Sequence, residues 1–231
     1  MKEQYLHNII GKFIKKEMTS VLDVGCQYGS ALFPFEEKNF KIITGIDCDE
    51  EIGDYIFVEY LSSKKDYPSH IKLGDKIWRT NDPYLTNKIA KKHRESEYLN
   101  FKKRFEFIID NEKGKIENFD LTKRSYDIII FSQILHFFAE NQIKEIIEKG
   151  LKCLKNEGFI YFDFYTEDSV KKGDIGYEYV SDNVFIETAE KRRKYYLLRH
   201  SFIEEIRSMF SKTIDIENNE TRACKIFIGN K

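Results

Sequence analysis

The sequence predicts an α/β chain. Its sheet has seven mostly parallel strands with helices on both faces, an antiparallel C-terminal hairpin and a segment inserted before the third strand. Three observations predict it. Short continuous apolar runs such as Ile128-Ile129-Ile130-Phe131 recur along the chain, as strands covered on both faces should read. Amphipathic helical patterns separate those runs, and strands alternating with helices make a parallel sheet. The last two strand-like runs leave no room for a helix between them, so they close as a hairpin.

The elements follow in order. Tyr5, Leu6, Ile9, Ile10, Phe13 and Ile14 share one face of an opening helix, with lysines on the other side. Residues 20–24 form a short buried strand that runs straight into Gly25-Cys26-Gln27-Tyr28-Gly29-Ser30. A helix follows with Pro34 in its first turn, where proline is tolerated. Residues 41–47 make a second strand that ends in an acid, and 105–109 and 126–131 make the third and fourth. Ile143, Ile146, Ile147, Leu151 and Leu154 line one helical face; Gly158 ends that helix, and 159–162 is the fifth strand. Ser201-x-x-Glu204 reads as a capping box opening a helix that buries Phe202, Ile203, Ile206, Met209 and Phe210. Strands near 213–216 and 223–228 close the chain.

The length of 231 residues suits one domain carrying an insertion, at about 150 residues per domain. From Asp49 to Arg104 there are 56 residues between the second and third strands, about twice what a helix and its loops need. The surplus, about 61–103, reads as an insertion into a single domain spanning 1–231. A second long stretch, 164–200, is rich in Tyr, Lys and Arg. Both stretches are expected near the carboxyl ends of strands, where open α/β sheets bind ligands.

Composition excludes several classes. Lys and Arg number 38 against 39 Asp and Glu, so no global polybasic or polyacidic binding mode is indicated. Aromatic residues at 15% are too many for a disordered chain. No run reaches the roughly 18 apolar residues of a membrane helix, and the lysine-interrupted N-terminus does not read as a secretory signal. Cys26, Cys48, Cys153 and Cys224 show no C-x-x-C pair and no zinc-ligand spacing. The expectation is a cytoplasmic protein without a metal site or a membrane partner.

The strongest local signal is Val21-Leu22-Asp23-Val24-Gly25-Cys26-Gln27-Tyr28-Gly29. A strand ends, a tight turn uses two glycines four apart, and the next helix points its N-terminus at the turn. Glycine permits such a turn and the close approach of a ligand. Asp47, at the end of the second strand, suits a ribose diol, since a carboxylate can accept two hydroxyl hydrogen bonds. A dinucleotide site would want G-x-G-x-x-G, which is missing. Asp23 would oppose a pyrophosphate and fits a ligand carrying an ammonium group.

VLDVGCQYG (21–29) resembles the first motif of class I S-adenosylmethionine-dependent methyltransferases, roughly D-x-G-x-G-x-G, with Gln27 at the middle glycine. GIDCDE (45–50), YDIIIFSQILHFF (126–138) and LKNEGFIYFDF (154–164) resemble the family's later motifs in the same order, so the likeness spans about 18–165. The resemblance implies S-adenosylmethionine as cofactor. It implies that Asp23, Gly25, Cys26, Gln27 and Gly29 surround the methionine part, that Asp47 binds the ribose and that Cys48 lies beside the adenine. Asp110-Asn111 and Ile116-Glu117-Asn118 compete for the adenine-contacting position after the third strand; Glu117 and Asn118 are favoured because they lie closer to the fourth strand. Ser132 and Gln133 would border the amino-acid end and the transferable methyl. Cys26 and Cys48 read as small buried fillers, not nucleophiles.

Methyl transfer needs a general base only where the nucleophile carries a proton to remove. His136, four residues beyond Ser132, is the candidate and could titrate near neutrality. A packed histidine at a helix start reads the same way. Asp163, Tyr165 and Glu167 either face the acceptor or end the fifth strand. Arg192, Arg193, Tyr195 and Tyr196 either line an acceptor pocket or form a solvated face. No [DNS]-P-P-[YFW] and no Pro-Cys follow the fourth strand, which argues against amino methylation of DNA or glutamine and against cytosine C5 chemistry.

The favoured function is methyl transfer to a small molecule. One alternative is RNA methylation through the segment 88–104, whose seven Lys and Arg outnumber two Glu. Another is a non-catalytic binding or scaffolding protein. Trp78 either stacks on an acceptor or anchors the insertion. The acceptor's identity and the oligomeric state are not specified by the sequence.

Overall fold

The computed structural model describes residues 2–64, 71–73, 76–78, 91–92, 94–110, 112–116, 118, 124–168, 176–181, 183–187, 194–216 and 224–230. The fold class is the expected one: a seven-stranded, mostly parallel sheet with helices. The chain divides into two compact units, 1–119 and 120–231.

The first unit contains, in order, α1 (Lys2–Ile10), β1 (Ser20–Val24), α2 (Phe33–Glu37), β2 (Ile42–Asp47), α3 (Ile56–Ser63), the hairpin β3 (Ile71–Leu73) and β4 (Lys76–Trp78), α4 (Glu95–Arg104) and β5 (Glu106–Ile109). Strand β2 pairs in parallel with β1 on one side and β5 on the other. Pro34 sits in the first turn of α2, as expected. Helix α1 is shorter than its apolar face suggested. The Lys12 and Phe13 N–H groups reach back three residues, to the Ile9 and Ile10 carbonyls, so Phe13 and Ile14 follow in a tightened turn.

An aromatic cluster packs α2, α3 and α4 against the start of β5. Ring centroids lie 5.6 Å apart for Phe33 and Phe105, 5.4 Å for Phe57 and Phe101 and 5.0 Å for Tyr60 and Phe101. Each such pair contributes about 1 kcal/mol beyond its buried area. Arg104 donates to the Glu36 carbonyl at 3.1 Å, tying α4 to α2. The basic stretch is therefore in part a packed helix, with Phe101 buried and Lys102 and Lys103 exposed. The Trp78 side chain lies outside the described residues.

The second unit contains β6 (Tyr126–Ser132), α5 (Glu140–Cys153), β7 (Leu154–Tyr165), β8 (Tyr177–Ser181), β9 (Val184–Glu187), β10 (Lys194–Tyr196), α6 (His200–Ser208), β11 (Lys212–Ile216) and β12 (Cys224–Asn230). Strands β6 and β7 are parallel; β12 runs antiparallel to both β7 and β11, the expected hairpin. The core of this unit holds Ile128 to Phe131 of β6, Ile160 and Phe162 of β7, and Ile143 and Ile147 of α5.

Two expectations in this unit are corrected. Helix α5 ends at Cys153, not at Gly158, because Leu154 turns extended and pairs with Tyr126. The ladder shifts register between Tyr126 and Ile128, and β7 continues through Gly158. Ser201 is not a cap: α6 starts at His200 after an extended Arg199, and no side chain caps it. Within the long stretch 164–200, to which no element was assigned, β8, β9 and β10 form a three-stranded antiparallel sheet. Its alternating aromatic and β-branched residues, Tyr177-Glu178-Tyr179-Val180 and Val184-Phe185-Ile186, carried that signal.

Candidate functional site

In the first unit, the predicted turn is built on the ends of β1 and β2. The Gly25 and Cys26 N–H groups both donate to the Ile46 carbonyl, at 2.9 and 3.1 Å. Gly25, Gln27 and Gly29 all adopt left-handed backbone, with φ of 73°, 45° and 77°. Glycine takes that conformation freely, whereas Gln27 needs support. Asp47 supplies it: its Oδ2 accepts the Gln27 N–H at 2.9 Å. The Asp47 Oδ1 accepts the Asp49 N–H at 3.0 Å, so each oxygen holds one backbone donor and keeps a second lone pair. A side chain at Gly29 would also lie 2.7 Å from the Phe107 ring.

Asp23 is buried at the end of β1. Cys26 is buried too, and its thiol is pushed well above the usual range, first by burial and then by Asp23 and Asp47. The raised pKa keeps the thiol protonated at neutral pH, and Cys26 is buried as expected. Cys48 departs from the expectation: it is exposed, because it follows the last residue of β2 and turns outward.

The loop after β5 lies against Asp47 from the backbone side. Asp110 N–H donates to the Asp47 carbonyl at 3.1 Å, and a side chain at Gly114 would come within 1.8 Å of the same oxygen. The Asp110 Oδ1 accepts the Glu112 and Lys113 N–H groups at 2.8 and 2.7 Å, and these bonds lower its pKa. That carboxylate shapes the turn. Ile116 is buried, while Asn118 is exposed and donates to the Glu112 carbonyl at 3.0 Å. Glu117 and Asn111 lie outside the described residues.

In the second unit, β6 ends at Ser132 directly opposite Asp163 of β7. Asp163 is 6% exposed. Its carboxylate accepts the Ser132 hydroxyl at 2.7 Å, the Tyr161 hydroxyl at 3.1 Å and the Gln133 N–H. Gln133 is left-handed, with φ 53°. Asp163 therefore fixes the loop after β6. The chain then enters a short 3-10 turn, Leu135–Phe137, that buries His136.

His136 is 3% exposed, and burial alone brings its pKa down to about 3. The expectation of titration near neutrality is thus overturned: the ring is neutral throughout the physiological range. Its plane is fixed by neighbours. Tyr195 stacks on it with centroids 5.0 Å apart and planes 5° from parallel. Phe137 and Tyr165 approach at 4.2 and 4.6 Å. Tyr165 and Tyr195 also pack on buried Phe185 and Leu197. Glu167 instead accepts a long 3.4 Å bond from the His200 N–H. Arg192 and Arg193 lie outside the described residues.

The structure thus gathers Asp23, Gly25, Cys26, Gln27, Gly29 and Asp47 in one turn, and Ser132, Gln133 and His136 in one short segment. Sequence reasoning did not find the role of Asp163. The acid at the end of the fifth strand was visible, but its partners come from cross-strand register.

No protein-family model and no curated protein matches the chain. Solved structures do match over its whole length. The PH0226 protein from Pyrococcus horikoshii OT3 is 15% identical, with a TM-score of 0.63 over 99% of this chain and 89% of that one. An S-adenosylmethionine-dependent methyltransferase from Clostridium acetobutylicum ATCC 824 is 12% identical, with a TM-score of 0.58 over 99% and 89%. The 1,6-didemethyltoxoflavin-N1-methyltransferase of Burkholderia thailandensis, solved with 1,6-didemethyltoxoflavin and S-adenosylhomocysteine, is 13% identical, with a TM-score of 0.53 over 99% and 76%. At such identities the likeness establishes the fold, which is that of the class I S-adenosylmethionine-dependent methyltransferases.

Proposed function

We propose that the chain is a single methyltransferase-like domain, with the segment at about 61–103 inserted, that uses S-adenosylmethionine to methylate a small molecule. The observation that carries this reading is the turn at Gly25 to Gly29 and the carboxylate that holds it. Asp47 is half-buried at a strand end, and each of its oxygens keeps a lone pair for a ribose hydroxyl. Asp23, Gly25, Cys26, Gln27 and Gly29 would hold the methionine part. Cys48, Glu117 and Asn118 are the candidates beside the adenine, and Ser132 and Gln133 those at the methyl end. The bound cofactor supplies a methyl group on a sulfonium. The protein supplies orientation and a water-poor setting.

A small acceptor is favoured over RNA by the state of the basic stretch. Lys91 and Lys102 lie over the Tyr98 ring, which also meets Phe57 at 5.0 Å, so that ring is not set out to stack on a base. Arg94 is bound to Glu97. The solved relative that methylates 1,6-didemethyltoxoflavin supports the same direction. Among the described residues, no helix is long and apolar enough to cross a membrane.

Calorimetric titration with S-adenosylmethionine and S-adenosylhomocysteine, with NADH as control, tests the reading. Both sulfur ligands are expected to bind and NADH is not. At 100 times its dissociation constant, each should add about 2.7 kcal/mol of stability. Folded protein that binds neither would refute the proposal.

A further inference from the structure

His136 is a buried polar group with an unusual setting. Its Nδ1 meets no hydrogen-bond partner among the described residues, although the ring is 3% exposed. Buried polar atoms left in that condition are uncommon and call for a reason. The rings around it are not sealed in the same way: Phe137, Tyr165 and Tyr195 are each only half-buried. A fully buried nitrogen thus lies beside aromatic surfaces that remain partly accessible.

The surroundings are also tied together by backbone hydrogen bonds. The Leu198 N–H donates to the Tyr165 carbonyl at 3.1 Å, and the Glu167 N–H donates to the Leu198 carbonyl at 3.2 Å. These bonds tie the end of β7 to the chain leaving β10, which carries Tyr195. With Tyr195 parallel to the imidazole and Tyr165 at its edge, the direction of Nδ1 is set before any ligand arrives. A neutral imidazole has one N–H donor and one acceptor nitrogen. The Nε2–H tautomer is the intrinsically favoured one, which leaves Nδ1 as the acceptor.

We infer that His136 and the Phe137, Tyr165 and Tyr195 rings form the acceptor-binding site, and that it takes a planar ring bearing an O–H or N–H that donates to His136 Nδ1. The aromatic surfaces supply area for the flat ligand, and the nitrogen sets its orientation. Naming the ligand a methyl acceptor rests on the methyl-transfer reading; the binding geometry does not.

Phenol and anisole make the test, since they differ in the donor hydrogen and share the ring. Their affinities are measured by ligand-observed NMR on the whole protein, with and without S-adenosylhomocysteine. Phenol is expected to bind about fivefold to tenfold tighter, the worth of one hydrogen bond. In His136→Phe, which keeps a ring and removes the nitrogen, that preference should fall to about one. On wild-type protein with labelled histidine, phenol should move the Nδ1 nitrogen resonance upfield and anisole should not, a readout that stands even if the variant fails to fold. Equal affinities, absent binding of both probes, a preference that survives in His136→Phe, or an unmoved Nδ1 resonance would each overturn the inference. Loss of S-adenosylhomocysteine binding alone, with the phenol preference intact, would count against the methyl-transfer reading and leave this site standing.

Discussion

Two carboxylates invite comparison, one in each unit. Asp47 ends β2 and Asp163 lies near the end of β7. Each accepts the backbone N–H of a left-handed glutamine, Gln27 in one case and Gln133 in the other. The difference is in what remains. Asp163 is buried and also receives two hydroxyls, from Ser132 and Tyr161. Asp47 is half-buried and receives only one further backbone donor, from Asp49, among the bonds seen. The same device therefore serves two ends. A buried carboxylate surrounded by donors fixes a loop, and a less buried one fixes a loop while keeping lone pairs, on which the proposed ribose contact rests.

The largest effect should come from breaking the Asp47 side. Asp47→Ala removes two charge-assisted acceptors, each worth about 1.5–3 kcal/mol. Affinity for S-adenosylhomocysteine should fall by about 100-fold or more in calorimetry. A loss under about fivefold would mean that Asp47 holds only the turn.

Asp163→Asn should show the reverse pattern. The amide would turn a donor toward one of three donors, at a cost of about 2 kcal/mol in urea unfolding. S-adenosylhomocysteine affinity should change by less than about tenfold. If affinity collapsed while stability held, the division of labour between the two carboxylates would be wrong.

His136 gives a smaller, pH-dependent effect. Its folded pKa of about 3 lies below the unfolded value of about 6.5. Between those values the unfolded chain binds a proton that the folded ring refuses, so stability falls as pH drops from about 6.5 toward 3. The slope from this one group is about 1.4 kcal/mol per pH unit. Comparing wild type with His136→Phe from pH 6 to pH 4.5 should show that slope missing in the variant. Parallel curves would mean that the histidine is protonated in the folded protein.

The smallest effect tests the strain in the turn itself. Gln27→Gly relieves the φ of 45° but frees the unfolded chain, so stability should shift by less than about 1 kcal/mol. The N–H to Asp47 is retained, and ligand affinity should stay within about twofold. A large loss would show that the Gln27 side chain contributes to binding.

The two regions also differ in how legible they were. The glycine turn is local: residues 21–29 contain the strand end, the turn and its glycines, so spacing alone revealed it. Residues in β1 and β2 matched their expected spans to within a residue for the same reason. The second constellation is not local. Asp163 meets Ser132 because the ladder places them opposite one another, 31 residues apart in sequence. His136 looked like a neutral-range titrating group because nothing in its neighbouring residues tells that Tyr165 and Tyr195 bury it.

The sequence by itself determined the alternation of strands and helices, the glycine turn and the acid at the end of β2, since these depend on hydrophobic period and on backbone freedom near one point. The tertiary structure decided where helix α5 gave way to a strand, that Ser201 was not a cap, that 164–200 held a sheet, and which carboxylate was enclosed. Those outcomes turn on pairing and burial between distant residues. Pairing overrides local propensity, and burial sets the charge of an ionisable side chain.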